Sequence, residues 1–584
     1  MHNFHIPVMG IGFTVDTPVK VAHLGISSVI SLLDDILIEK MREFYCNKFE
    51  IPYQEISNKV EDFRAKRITS YLNTLDNIVK DKFNELKNSA SELGKEFEKY
   101  MELLPDISPL KQKFIEFQQD IHKKKDHLQW IISHLTTGDI DVNIMTKLDK
   151  SNYLNGEVQP VEFNDAHAAL RGFANSNLNS SVVLSAGMNP RLYAYFEKLN
   201  DFFPDENGFL KKRIILKVSD YRSAIIQGKF FAKKGLWVSE YRIESGLNCG
   251  GHAFPTQGHL MGPILEEFKK NRAELINSTY ELYTASLKTQ QRHYPQQPPS
   301  IKITAQGGVG THQEHEFLIN YYQLNSVGWG SPFLLVPEVV NVDEKTLKLL
   351  SDAKEKDLYL SDTSPLGVPF NTLRSNTKDI EKQDWIDSGK PGSPCPKKYG
   401  AINMEGMCTG SRQYQRNKIK ELDALNLNQA EYKKAFDKIT VKSCICVGLG
   451  TTPLLVNDLD IKVEGNAVSV CPGPNLAYFD KILSLKEMID HIYGRINVLR
   501  DNNRPNMFIN ELILYINYLK TDLKSAVKPL SDKQIDYYKS FKHNLLNGIE
   551  YYFSLVENIE QKTCNINVDL LQKYKQDLEE FVIN

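Results

Sequence analysis

The chain has no excess of charge of either sign: 71 Lys and Arg stand against 73 Asp and Glu, a net charge of −2. So balanced a composition gives no basic signature, and nucleic acid is not an expected partner. No apolar run reaches the roughly 18 residues of a membrane-crossing helix, so no membrane association is expected. The opening Met1-His2-Asn3-Phe4-His5-Ile6-Pro7 lacks the basic and then apolar segments of a secretion signal. Cysteine is sparse, eight in 584 residues, which without such a signal fits a reducing, cytoplasmic setting. Internal repeats and low-complexity tracts are missing, as is a Gly-x-Gly-x-x-Gly unit for a separate nicotinamide-binding fold. What is present is ordinary globular composition, 41% hydrophobic and 25% charged. The length suits several folding units, or one barrel with large insertions.

Two glycine turns organise the chain. In the first, the strand-like Gly235–Glu240 leads through Glu244-Ser245-Gly246-Leu247-Asn248-Cys249 to Gly250-Gly251-His252. Two residues without Cβ let the backbone turn sharply and approach a flat ligand, and they deliver one histidine. The competing reading is a tight turn with a surface histidine. In the second, the buried-strand pattern Ser300–Ala305 runs into Gln306-Gly307-Gly308-Val309-Gly310-Thr311. A helix over 312–322 and a strand opening Ser326-Val327-Gly328-Trp329-Gly330-Ser331-Pro332-Phe333 follow. Strand, Gly-Gly turn, helix, strand, Gly-x-Gly is how an eight-stranded barrel holds a phosphate, on backbone N–H groups and a helix N-terminus.

Other segments fit the same rhythm. Ile6–Phe13 reads as a first strand. Thr17–Gly25 reads as a short helix, capped by Thr17 with Pro18 at its first position and Gly25 at its end. Ile26–Leu32, Ile140–Met145, Ser180–Ser185 and Arg213–Val218 read as further strands, and Arg222–Lys233 and Leu260–Ile276 as helices between strands. With the three strands around the glycine turns, this makes eight. The expected fold is α/β: a (β/α)8 TIM barrel over residues 1–35 and 135–376, with a helical insertion after strand 2 at 36–134. A loop-rich, cysteine-containing segment is expected at 377–480, and a mostly helical C-terminal region at 481–584.

At His252 and the two glycine turns the sequence resembles the nitronate monooxygenase family, the 2-nitropropane dioxygenase-like flavoproteins, whose superfamily includes FMN-dependent enoyl reductases. The family's Ala-Gly-Gly-His reads here Cys249-Gly250-Gly251-His252, and its phosphate turn resembles Gly307-Gly308-Val309-Gly310. Pro7-Val8-Met9-Gly10 resembles the family's first strand, Val142-Asn143-Ile144 its third, and Gly330-Ser331-Pro332-Phe333-Leu334 its eighth. Ser361–Arg374 resembles a late family segment. The blocks lie within 5–35 and 135–376. Asn248 stands where the family has an acidic residue, and Ser331-Pro332 where it has Thr-Arg.

The resemblance implies an FMN-dependent oxidoreductase. Gly307, Gly308, Gly310, Gly330 and Ser331 would hold the phosphate. Met9, Gly10, Gly12, Gly250 and Gly251 would line the ring slot. Asn143 and Lys217 would bond the ring oxygens, the plainer readings being a turn-capping amide and a solvated strand end. His252 is the candidate acid or base, since a free imidazole titrates near ~6.5 and suits either role. His259, His312 and His315 are weaker candidates, expected at the surface. Cys395, Cys408, Cys444 and Cys446 fit a four-thiolate site, iron–sulfur or zinc, or else separate buried thiols. The expected partner is a small-molecule substrate; a homo-oligomer or an electron-transfer partner stays open. The alternatives are an enoyl-thioester reductase and a non-catalytic scaffold that keeps the flavin barrel.

Overall fold

The computed structural model describes residues 2–119, 124–154, 156–185, 187–501, 503–526, 529–559 and 565–583. Eight parallel strands close into a barrel: β1 (Phe4–Ile6), β2 (Ser27–Ser31), β3 (Ile140–Ile144), β4 (Ser180–Leu184), β5 (Lys212–Val218), β6 (Val238–Glu244), β7 (Lys302–Gln306) and β8 (Ser326–Gly328). Each strand pairs with its neighbours in sequence, and Phe4 opposite Val327 with His5 opposite Ser27 closes the ring. A sheet of parallel strands needs helical crossovers on its outer face, and its strands are therefore apolar on both sides. Ile140–Ile144 and Ser180–Leu184 are buried at every position.

The expected eight-stranded barrel is the observed one, with shifts at strand ends. β1 stops at Ile6 because Pro7 has no N–H for the ladder, and Gly10, at φ +54°, starts a series of turns. Asp16, not Thr17, caps the Thr17–Val21 helix; Gly25 closes the next turn at φ +81°. β6 begins at Val238, not Gly235, since Gly235 at φ +72° ends the turn after the helix Tyr221–Ala232. The predicted single helix over 260–276 is two, Met261–Lys270 and Arg272–Thr289, joined at Asn271.

After β2 come the helices Asp35–Lys48, Phe63–Ser89, Lys95–Leu103, Pro109–Gln119 and Lys124–His134. Beyond β8, a hairpin of β9 (Leu358–Ser361) and β10 (Phe370–Leu373) precedes the helices Thr377–Asp387, Arg412–Asp423, Gln429–Thr440 and Ile445–Val456. The long helices Met507–Ser525 and Asp532–Asn558 pack back against the loop and helix that follow β6. One apolar core joins the barrel, the helices after β2, the helix Ile445–Val456 and the long C-terminal helices, from Phe4 to Leu578. Among the described residues no single helix is long and apolar enough to cross a membrane; the pair Gln429–Thr440 and Ile445–Val456, bent by 46°, passes only jointly. The second of these buries residues 445, 447–454.

Candidate functional site

A cavity of about 360 Å³ opens at the carboxyl ends of the strands, where barrel proteins carry their chemistry. Of the residues predicted to hold a cofactor, Met9, Gly10, Asn143, Lys217, Gly250, Gly251, Gly307, Gly308, Gly330 and Ser331 line it, together with His252. Gly12 and Gly310 do not. Gly12 donates its N–H to the Leu449 carbonyl at 2.8 Å, and a Cβ there would lie 2.6 Å from Pro453. It is a glycine for close helix packing. A Cβ on Gly310 would meet Arg504 and Asn475 at 2.8 Å.

The cavity floor is polar. At the end of β5, the Lys217 ammonium lies 2.9 Å from the Glu244 carboxylate at the end of β6, and Gln306 donates to the same carboxylate at 2.6 Å. The Asn143 Oδ1 is buried without a partner, and Gln306 lies against His5 of β1. An orphaned buried carbonyl is costly, about 1–3 kcal/mol, unless something supplies a donor. The amides of Asn143 and Gln306 on the floor, with the Lys217 ammonium, match the donors and acceptors along one edge of a flavin ring. Higher up, the wall is apolar: Phe254, Leu366, Val368, Phe370, Ile402 and Leu449.

The second glycine turn meets the test for a phosphate cradle in a way the sequence did not indicate. The N–H groups of Gly310 and Thr311 already donate to Glu314 Oε2, at 2.8 and 3.2 Å, in a capping box at the start of the helix His312–Asn320. The helix N-terminus is therefore occupied by its own glutamate. The N–H groups of Gly308, Val309 and Gly330 have no acceptor among the described residues, and all three residues line the cavity. These amides, with the Ser331 hydroxyl, fit an anion. The residues present thus fit FMN at both ends.

His252 sits where the first turn delivers it. Its Nε2 is 2.7 Å from Ser364 Oγ, and its ring packs on Phe370 at 4.9 Å between centroids. The turn is tied to the hairpin by Ala253 N–H to the Pro369 carbonyl and Asn371 N–H to the Gly251 carbonyl, both 2.9 Å. Burial, and then the nearby Lys217 and Lys147 ammonium groups, pull its pKa down to about 4. These influences favour the neutral ring near neutral pH.

Three other expectations are corrected. His315 is not at the surface: it is fully buried, bonded to Asn3 at 3.0 Å and accepting from Trp329 Nε1 at 3.2 Å. Burial lowers its pKa to about 3. His312 is half-buried against the Ile492 carbonyl, while His259 is exposed as expected. The four-thiolate metal site at Cys395, Cys408, Cys444 and Cys446 finds no support. Among the described residues no group of three or more His, Cys, Asp or Glu is arranged to hold a metal ion. Cys395 is hydrogen-bonded to Cys408 and Cys444 inside a small apolar cluster with Val447, while Cys446 turns to the cavity. The bond to Cys408 and burial raise the Cys395 pKa to about 11, and burial raises that of Cys446.

Several residues of the site escaped sequence reasoning. Glu244 and Gln306 end their strands on the same face as the glycine turns, a signal available once strand ends were placed. The segment Cys471-Pro472-Gly473-Pro474-Asn475 had no such signal, yet it touches all three loops. Gly251 donates to the Cys471 carbonyl at 3.0 Å, Gly473 to Ser331 Oγ at 2.7 Å, and Asn475 Nδ2 to the Val309 carbonyl at 2.7 Å.

No protein-family model matches the chain, and no curated protein does. Solved structures do. FabK from Thermotoga maritima is 15% identical over 68% of this chain and 84% of its own, with a TM-score of 0.30. The enoyl reductase domain of MlnA, from the macrolactin biosynthesis cluster of Bacillus amyloliquefaciens, is 14% identical over 70% and 88%, TM-score 0.33. Nitroalkane oxidase from Streptomyces ansochromogenes is 7% identical over 84% and 94%, TM-score 0.33. Likeness this distant says nothing of substrate or reaction. The class the coordinates define is an α/β barrel protein with one large cavity at its carboxyl mouth.

Proposed function

We propose that the chain is an FMN-dependent oxidoreductase of the kind its motifs resemble, the nitronate monooxygenase-like flavoproteins. The observation that carries this reading is the cavity itself. Free N–H groups of Gly308 and Val309 in the second glycine turn and of Gly330 after β8 stand on its wall, and the amides of Asn143 and Gln306 on its floor, at the mouth of a closed barrel. Bound there, FMN would supply hydride or single-electron transfer.

The chain's own residues would do the rest. Gly308, Val309, Gly330 and Ser331 bind the phosphate; Asn143, Gln306 and Lys217 bond the ring edge. Met9, Gly10, Gly250 and Gly251 leave room for a flat ring. His252 faces the substrate. A ring that is neutral at rest suits the accepting role: it takes a proton from a carbon α to an activating group, held in orientation by Ser364. The phenyl rings of Phe254 and Phe370 and the aliphatic wall exclude water from that transfer. The same apolar wall favours, as a second reading, an enoyl-thioester whose acyl chain lies along it.

Visible absorption of the purified protein and acid extraction of its cofactor test the first claim. A yellow protein releasing stoichiometric FMN is expected; a folded, colourless protein that FMN does not restore favours a scaffold and ends this reading. Oxygen uptake with alkyl nitronates, against NAD(P)H oxidation with enoyl-thioesters, separates the two substrate classes.

A further inference from the structure

Three consecutive carbonyls of the second glycine turn are held by side chains from far along the chain. Gly308 O accepts from Arg504 Nη2, Val309 O from Asn475 Nδ2 at 2.7 Å, and Gly310 O is 2.9 Å from His491 Nε2. All three donors lie beyond residue 470, outside the barrel. Arg504 is the hub. Its side chain is 3% exposed; its Nε donates to Asn475 Oδ1 at 2.7 Å and its Nη1 to Glu314 Oε1 at 2.7 Å. One guanidinium therefore fixes the turn, the segment that overlies it, and the glutamate that caps the following helix.

This has a consequence for the cavity side of the turn. The C=O and N–H of one planar trans peptide point in opposite directions. Arg504 does not line the cavity, whereas Gly308 and Val309 do. Pulling the Gly308 carbonyl toward Arg504 turns the Val309 N–H toward the cavity, where it has no protein acceptor among the described residues. Gly308 at φ +81° and Gly307 at φ +119° let the backbone take this shape.

We infer that Arg504 is a positioning residue for the cofactor phosphate: it presets the amides of the glycine turn from behind without touching the ligand. The inference rests on the FMN reading above and adds that the C-terminal region is part of the cofactor site. Arginine is required because its planar fork meets three acceptors at fixed angles, which one ammonium cannot do.

FMN and riboflavin, which differ only in the phosphate, separate this from a general structural role. Dissociation constants of both are measured on the full-length apoprotein by fluorescence quenching, for wild type, Arg504→Lys and the control Arg500→Lys. Arg500 lies on the same segment but bonds the Ser351 and Ala353 carbonyls. The wild type and Arg500→Lys should prefer FMN strongly, and in Arg504→Lys that preference should shrink at least about tenfold, with riboflavin affinity little changed. Equal losses for both ligands, or none, would overturn the inference while leaving the FMN reading intact. A wild type that binds neither, or does not distinguish them, overturns the reading and the inference together. If Arg504→Lys does not fold, Glu314→Gln/Arg504→Gln, which removes both buried charges at once, is measured in the same way.

Discussion

The two glycine turns look alike in sequence and are built for opposite purposes. At the first, a Cβ on Gly250 would lie 2.5 Å from the Cys471 carbonyl, but one on Gly251 would meet nothing within 4 Å, although φ is +77°. That turn opens on the cavity and presents a side chain, His252. At the second, a Cβ on Gly308 would lie 2.0 Å from Asn248 Nδ2 and one on Gly307 2.7 Å from Cys249 Sγ. That turn is packed solid behind and presents backbone. Their anchors to the C-terminal helices differ as well. Glu511 holds the first, accepting from Ser245 Oγ and from Met261 N–H at 2.8 Å; the Glu314–Arg504 ion pair holds the second. A single glycine thus serves either reach or close approach, and only its neighbours say which.

The comparison breaks most visibly at Gly308. Gly308→Val forces a branched side chain into Asn248 at a left-handed φ, which should cost about 3 kcal/mol or more and abolish FMN binding. The contact with Asn248 strains the fold as well as the cofactor site. Thermal denaturation and FMN titration check it.

At the other turn, His252→Asn should leave FMN affinity nearly unchanged and lower turnover by about two to four orders of magnitude. Steady-state kinetics with whichever substrate class the oxygen-uptake and NAD(P)H-oxidation assays select measure it. With the pKa of His252 near 4, wild-type kcat/KM should show no inflection from this residue between pH 6 and 8. Wild-type turnover in the Asn variant removes His252 from the chemistry.

The anchors give a pH test. Burial raises the Glu511 pKa from its ordinary 4.5 to about 7. Between those values the native state holds a proton that the unfolded state has released, so stability from this group is present at low pH and lost as pH rises to 7. Wild type should lose up to about 3 kcal/mol more than Glu511→Gln between pH 4.5 and 8 in urea unfolding. Parallel curves would mean that Glu511 stays ionised. The smallest effect is expected at Gly251→Ala: backbone strain of about 1 kcal/mol, with no clash, read as a small shift in melting temperature.

Much of the barrel could be read from the chain because each strand is a short apolar run between turn signals, and parallel strands keep that pattern wherever they lie. The glycine turns were legible for the same local reason. Asn475, His491 and Arg504 were not. Their roles come from contacts across up to 196 residues of sequence, as between Gly308 and Arg504, and no spacing rule reaches so far. The cysteines misled in the other direction. Their grouping in sequence does place three of them together, but as an apolar thiol nest without ligand geometry. Likewise His315 is polar in sequence and central in the packing, because Asn3 and Trp329 satisfy both of its nitrogens.

The central claim is that this cavity is a flavin site with its phosphate on the second glycine turn. A crystal structure of the protein reconstituted with FMN tests it most directly. The account predicts the phosphate within hydrogen-bond distance of the Gly308, Val309 and Gly330 amides and the ring edge against Asn143, Gln306 and Lys217. Flavin bound elsewhere, or a phosphate turned away from those amides, would contradict it.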